Sequence, residues 1–342
     1  MEKHQSFLII LFGSCQTEEL QVVTVQNGPP GVYVGGQDSG GNATFWKDGL
    51  PTLLPGVYAK ANFIFVNGND TYLAGKTNTG FNTNAFVYWK NGTSNTILDL
   101  NAENLNSQLG GFAVSGNDLH AVWTENKGAY SIIKYWKNGS VNSITNENHF
   151  AKANAIAAYG NDIYICGYES TGGLAVAKYW KNGKVFPLTN STGGWSAANS
   201  IFIYNGDVYV AGVVGTSPDI SKNVDVATYW KNGVAVDISD GTKNAIANSI
   251  FVNDAGVYTA GVEAVSAQSG INIAKYWKNS IVSSLTDGAL HGFAYQIWVV
   301  DNDVYVVGRD GSSNTVWKNG TKLAPFDTND PAVLPLCISV IK

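Results

Sequence analysis

The chain has 342 residues, of which 14% are charged, with a net charge of −5 and a single arginine, Arg309. Nucleic-acid binders carry clustered basic faces with several arginines, so that class is excluded as an expectation. The low charge content, abundant Gly and Asn, and absence of long 3.6-residue periodicity point to an all-β protein rich in tight turns.

The first element in chain order is an N-terminal segment, "MEKHQSFLIILFGSCQTEE". Residues 7–12 form an apolar run well short of the roughly 20 residues that span a bilayer. Small residues and Cys15 follow. A short apolar core before small residues is the pattern of an export signal. The segment resembles a bacterial lipobox, although Phe12 replaces the usual Leu. The resemblance implies lipidation of Cys15, a signal peptide over 1–15 and a tether over 16–20. Gln16-Thr17-Glu18-Glu19 resembles the acidic tag of some Bacteroidetes surface lipoproteins. The expected address is therefore the outer membrane or cell surface, with membrane contact only through the lipid.

Residues 21–342 carry an internal repeat. Its signature is "AKYWKNG", with tryptophans at Trp46, Trp89, Trp136, Trp180, Trp230, Trp277 and Trp317, spaced 43, 47, 44, 50, 47 and 40 residues apart. A second element, of the type "NSIFIYNGDVYVAG", precedes most copies, at 62–75, 154–167, 199–212, 248–261 and 296–308. Degenerate versions occur at 112–123 and 22–36. Each unit reads as four strands. Strand A is "NSIFI", strand B "VYVAG", strand C "AKYW" and strand D "KVFPLT". Asn-Gly between C and D specifies a type I′ turn, because both central residues need positive φ. Asp48-Gly49 and Asn279-Ser280 are the variant turns.

Seven four-stranded units of about 45 residues specify a seven-bladed β-propeller. The motifs resemble kelch-like propellers and extracellular HAF-type repeats, which implies the architecture and no particular function. Closure requires one chain end to complete blade 1. Residues 22–25 and 336–341 compete for that place, and we favour the C-terminal segment.

On strand C, Tyr and Trp alternate between faces, so each blade offers one aromatic to each neighbour. The seven tryptophans are thus expected in the seams between blades rather than as sugar platforms. Cys166 and Cys337 lie in apolar runs and read as buried core residues, with a disulfide left open. The seven motif lysines read as solubilising groups at the outer rim, or alternatively as a basic ring for an acidic partner.

Strand direction puts the short A–B and C–D turns on one face and the variable B–C and D–A loops on the other. Binding residues concentrate on variable loops held by a rigid frame. The candidate residues on that face are His149, Phe150, Tyr168, Glu169, Trp195, His291, Phe293, Tyr295 and Arg309. Aromatics mixed with Asn, Thr and one Arg suit a glycan or a protein ligand. No paired carboxylates, no Gly-x-Ser-x-Gly elbow and no Ser-x-Asp-x-Gly-x-x-Trp box support catalysis. Asp301-Asn302-Asp303 reads as a turn rather than a calcium site. The expectation is a monomeric, non-catalytic binding propeller without metal or cofactor. The alternatives are a scaffold in an envelope assembly and, third, a polysaccharide hydrolase or lyase.

Overall fold

The computed structural model describes residues 28–342 apart from 81–82, 102–103, 147–148, 171–172, 189–192, 268 and 327–332, with the backbone of Ile10–Leu11 and Val22–Val23 in addition. Cys15 lies outside the described residues. Seven sheets of four antiparallel strands form the blades of a propeller. In chain order, blade 2 is Val57–Asn67, Asp70–Gly80, Thr83–Lys90 and Thr93–Leu100. Blade 3 is Gln108–Ser115, Asp118–Asn126, Ser131–Lys137 and Ser140–Ser143. Blade 4 is Phe150–Tyr159, Asp162–Ser170, Ala175–Lys181 and Lys184–Pro187. Blades 5, 6 and 7 begin at Ser196–Tyr204, Ala245–Asn253 and Gly292–Val300.

Blade 1 closes the ring. Its inner strand is the C-terminal segment Leu334–Ile341, paired with Gly31–Gln37, and Ala43–Lys47 and Leu50–Leu53 lie outside it. The N-terminal competitor Val22–Val23 pairs instead with Ile10–Leu11.

The C–D turns follow the sequence closely. Asn91, Asn138, Asn182, Asn232 and Asn319 have φ of 46–51°, and the glycine after each is also positive. Asp48-Gly49 and Asn279-Ser280 adopt the same geometry. In blade 4 the Asn182 side chain donates to Asp162 (2.6 Å) and accepts from the Ile163 amide (2.8 Å), stitching the C–D turn to the A–B turn. The bond repeats between Asn91 and Asp70, Asn138 and Asp118, Asn232 and Asp207, and Asn319 and Asp303. Both turn types therefore share a face.

The tryptophans fill the seams. Each packs against the strand C aromatic of the preceding blade: Phe45 with Trp89, Tyr88 with Trp136, Tyr135 with Trp180, Tyr179 with Trp230, Tyr229 with Trp277 and Tyr276 with Trp317. These six indoles are at most 5% exposed. Trp46 departs from the expectation and is only half-buried. Its partner in blade 7 is Val316 rather than an aromatic, and the outer strand of that blade, Thr321–Lys322, is two residues long. Cover at the closing seam is correspondingly thin.

Every inner strand carries a bulge, seen as a register shift against strand B, with a second shift near the start of the blade 2 strand. The bulge pushes a strand A carbonyl towards strand B. A Cβ on Gly36, Gly75, Gly167, Gly212, Gly261 or Gly308 would lie 1.7–2.0 Å from that oxygen, which explains the glycine at the end of "VYVAG". Blade 3 has Trp123 at this position and glycines, Gly110 and Gly111, on its inner strand. The bulged asparagines tie blades together: Asn154 donates to the Ala198 carbonyl (2.8 Å), Asn199 to Ala247 (3.0 Å) and Asn248 to Ala294 (2.9 Å). Cys166 and Cys337 are buried free thiols on different blades.

Candidate functional site: the loop face, the axis and one open seam

The predicted loop-face residues fall into three groups on blades 4, 5 and 7 rather than into one pocket. On blade 7, His291 just before the inner strand and Phe293 and Tyr295 within it form a stacked ladder, with centroids 6.1 and 6.3 Å apart and planes within 19°. Arg309 sits opposite Phe293 in the register, its guanidinium 5.3 Å from that ring centroid. Its Nε is buried without a hydrogen-bond acceptor among the described residues. The neighbouring Asp310 is committed to Lys322 (3.2 Å). Burial pushes the Tyr295 phenol above its ordinary pKa.

On blade 4, Phe150 is 48% exposed, and Tyr168 stands across from Lys152 in the strand register. Glu169 is neutralised by Lys178 (2.6 Å), and the His149 carbonyl accepts from the Ser131 amide. On blade 5, Trp195 is a loop strut. Its indole N–H donates to Asp225 (3.0 Å) and its carbonyl accepts from Gly215.

Sequence reasoning picked Phe150 but missed the rest of the apolar rim of this face. Val57, Tyr58, Phe150, Leu174, Val265 and Leu290 are each between 39% and 72% exposed, on B–C or D–A connections or on the strand A starts that follow them. Tyr58 is also held at φ 46°, a costly conformation for an aromatic residue. Nothing in its composition announces that. Two further glutamates on the face are paired internally, Glu125 with Lys127 (2.6 Å) and Glu263 with Lys243 and Lys275.

An axial cavity of about 350 Å³ continues inward from the ladder, and Tyr295 lines it. Its wall is lopsided. Blades 5, 6 and 7 contribute Phe202, Phe251 and Trp298, with centroids 4.9 and 5.4 Å apart in sequence. Blade 2 adds Phe63 and Phe65, whereas blades 3 and 4 contribute Gly111, Ala113, Ala155 and Ala157 beside Phe112 and Ile156.

The opposite face holds a surprise about the lysines. Lys90, Lys137, Lys181, Lys231 and Lys318 each bridge the A–B turn aspartate of their own blade at 2.6–3.0 Å. Six motif lysines, including Lys47 and Lys278, lie 5.1–5.4 Å over the strand B tyrosine. A basic ring for an acidic partner is therefore not what this face presents. Asn319, and after it Lys318, hold the Asp303 carboxyl at about 2. Asp301 and Asp303 are also bridged by Lys342 (3.0 and 3.1 Å), as members of a turn.

Blade 3 breaks this pattern. The strand B tyrosine is replaced by His120, which is 2% exposed. Its Nδ1 lies 2.7 Å from the Tyr135 hydroxyl, and the two rings stack at 5.9 Å. Burial, and then the Lys137 charge, push its pKa down to about 4. A cleft of about 560 Å³ opens here, between blades 3 and 4, on the turn face.

No protein-family model matches the sequence, and no curated protein does. Among solved structures, a prolyl endopeptidase studied for inter-domain dynamics is similar, with TM-score 0.53 and 10% identity over 86% of this chain. This chain spans about half (49%) of that peptidase. TolB from Acinetobacter baumannii aligns with TM-score 0.45 and 10% identity, over 73% of this chain and 61% of that one. The β-propeller domain of the Trilobed protease from Pyrococcus furiosus aligns with TM-score 0.43 and 13% identity, over 75% and 81%. At such identities the likeness establishes the propeller fold alone.

Proposed function

We propose that this chain is a non-catalytic binding propeller that is exported, held at the outer membrane or cell surface by a lipid on Cys15, and docks a protein partner on its B–C/D–A face. The observation that carries the reading is the set of exposed apolar side chains on blades 2, 4, 6 and 7, on the same face as Arg309. Interfaces are enriched in aromatics and arginine and depleted of lysine and glutamate at their centres. On this face Glu125, Glu169 and Glu263 are each bridged to lysines, and among the described residues Arg309 has no bridging carboxylate. A partner that offers a carboxylate to Arg309 and apolar groups to Tyr58 and Leu290 satisfies both features.

The test is photo-crosslinking in cells, with benzoylphenylalanine replacing Tyr58 or, as a control on an outer strand, Val185. One discrete adduct from position 58, lost on Arg309→Glu and absent from position 185, supports the reading. No adduct from position 58, or the same adduct from both positions, contradicts it. Palmitate labelling tests the anchor: Cys15→Ser loses the label and leaves the membrane fraction. The stacked rings of His291, Phe293 and Tyr295 favour a glycan as a second reading, which a glycan array with Phe293→Ala decides.

A further inference from the structure

Every blade repeats the same backbone, so the blade 4–5 seam serves as an internal standard for the blade 3–4 seam. Three positions of blade 4 point aromatics at blade 5: Tyr159 ending strand A, Tyr164 in strand B and Phe186 in strand D. Phe186 stacks on Tyr179 at 4.9 Å. The register puts Ser115, His120 and Asn142 at the matching positions of blade 3. Three aromatics are thus exchanged for three smaller polar groups, and the seam they would fill is the 560 Å³ cleft. That volume falls within the roughly 300–1,000 Å³ of small-molecule sites.

We propose that the seam between blades 3 and 4 is a binding site for a neutral, hydroxyl-rich ligand, namely one sugar unit of a glycan. The charge balance selects a neutral ligand. Asp118 and Lys137, at the rim, are 2.6 Å apart and cancel each other. His120 is kept uncharged by its burial. What remains is a set of groups that donate and accept without net charge. The His120 imidazole has its Nδ1 engaged by Tyr135, and the Ser115 hydroxyl and the carboxamides of Asn142 and Asn161 line the same space. Ile163 supplies an apolar wall. Sugars pair hydroxyl edges with C–H faces, and this lining offers a counterpart to each. The site lies on the face opposite the docking surface proposed above and is independent of it.

The experiment is titration calorimetry and saturation-transfer NMR on the full chain. The probes are the methyl glycosides of glucose, galactose, mannose and N-acetylglucosamine, with methyl glucuronide and glucosamine as charged controls. At least one neutral glycoside is expected to bind in the millimolar range or tighter, and the charged analogues more weakly. His120→Tyr, which copies six other blades into the third, is expected to weaken that binding at least tenfold with the melting temperature not lowered. Asn142→Phe, at an exposed position, gives the same loss and guards against a folding defect. Val234→Ser, on the exposed outer strand of blade 5, leaves sugar binding unchanged, and crosslinking from position 58 reports on the other face, so failure on one face is read separately from failure on the other. No binding by any neutral glycoside, preference for a charged one, or wild-type binding by both filled variants overturns the proposal.

Discussion

The seams on either side of blade 4 share a strand plan and differ in what fills them. Between blades 4 and 5, Tyr159, Tyr164, Tyr179, Phe186 and Trp230 form one continuous apolar cluster. Between blades 3 and 4 the shared Tyr–Trp contact survives, as Tyr135 with Trp180, but the side nearer the turns is lined by Ser115, His120 and Asn142. The strand C pair therefore suffices to hold two blades at their spacing. The remaining positions of the seam are free to carry other chemistry. In a repeat protein the frame is what the copies share, and the places where one copy departs are where function can enter.

The largest test of this comparison removes the part both seams share. Trp230→Ala deletes a fully buried indole and is expected to cost about 3–5 kcal/mol by denaturant unfolding. Trp46→Ala, at the thinly covered closing seam, should cost clearly less. Equal losses would mean that the seams do not differ in packing.

A smaller effect separates the seams by pH. His120 has its pKa lowered to about 4 in the fold, against about 6.5 in an unfolded chain. The unfolded state therefore binds the extra proton between those values, and stability falls as pH drops from about 6.5 towards 4. The sign follows from linkage: a depressed histidine gives stability that is present above the unfolded pKa and lost below it. The loss is on the order of 2–3 kcal/mol. Asp118, Lys137 and Tyr135 are the other titratable groups around the ring; the bond from Lys137 draws the Asp118 carboxyl down and burial pushes the Tyr135 phenol up, both away from pH 6. Urea melts at pH 7 and pH 4.5 should show this loss in wild type, and His120→Tyr should be flatter over the same range.

The smallest effect concerns the turn face. Lys181→Met removes a bridge whose partners are more than a third exposed, so it is expected to change stability by less than about 1 kcal/mol. A loss of several kcal/mol would show that the lysine–aspartate–tyrosine clusters hold the blades as firmly as the tryptophans do.

The frame was legible in the sequence because its signals are local and repeated. Asn-Gly dictates a backbone conformation whatever surrounds it, and seven evenly spaced tryptophans name the seams. The glycine of "VYVAG" was visible, but its reason, a strand A carbonyl pressed against it by a bulge, depends on a partner strand well away in sequence. The lysine–aspartate pairing was hidden for the same cause, since Asp162 and Lys181 meet only once strands B and C are paired. His120 was readable in principle. It breaks the repeat at a position where the other six copies have tyrosine, yet it lies in a degenerate copy where a single departure does not stand out. The loop-face residues were chosen by composition. Loops obey no repeat, so nothing in the sequence foretold that Trp195 would be a strut or that Tyr58 would be displayed on the surface.

The most direct measurement is the thermal midpoint of His120→Tyr at pH 7 beside wild type. If the blade 3–4 seam is an unfilled copy of the blade 4–5 seam, the added phenol fills space and the midpoint rises, by the equivalent of about 0.5–2 kcal/mol. A lowered midpoint would mean that the seam is already packed around histidine, and the contrast between the two seams would fail.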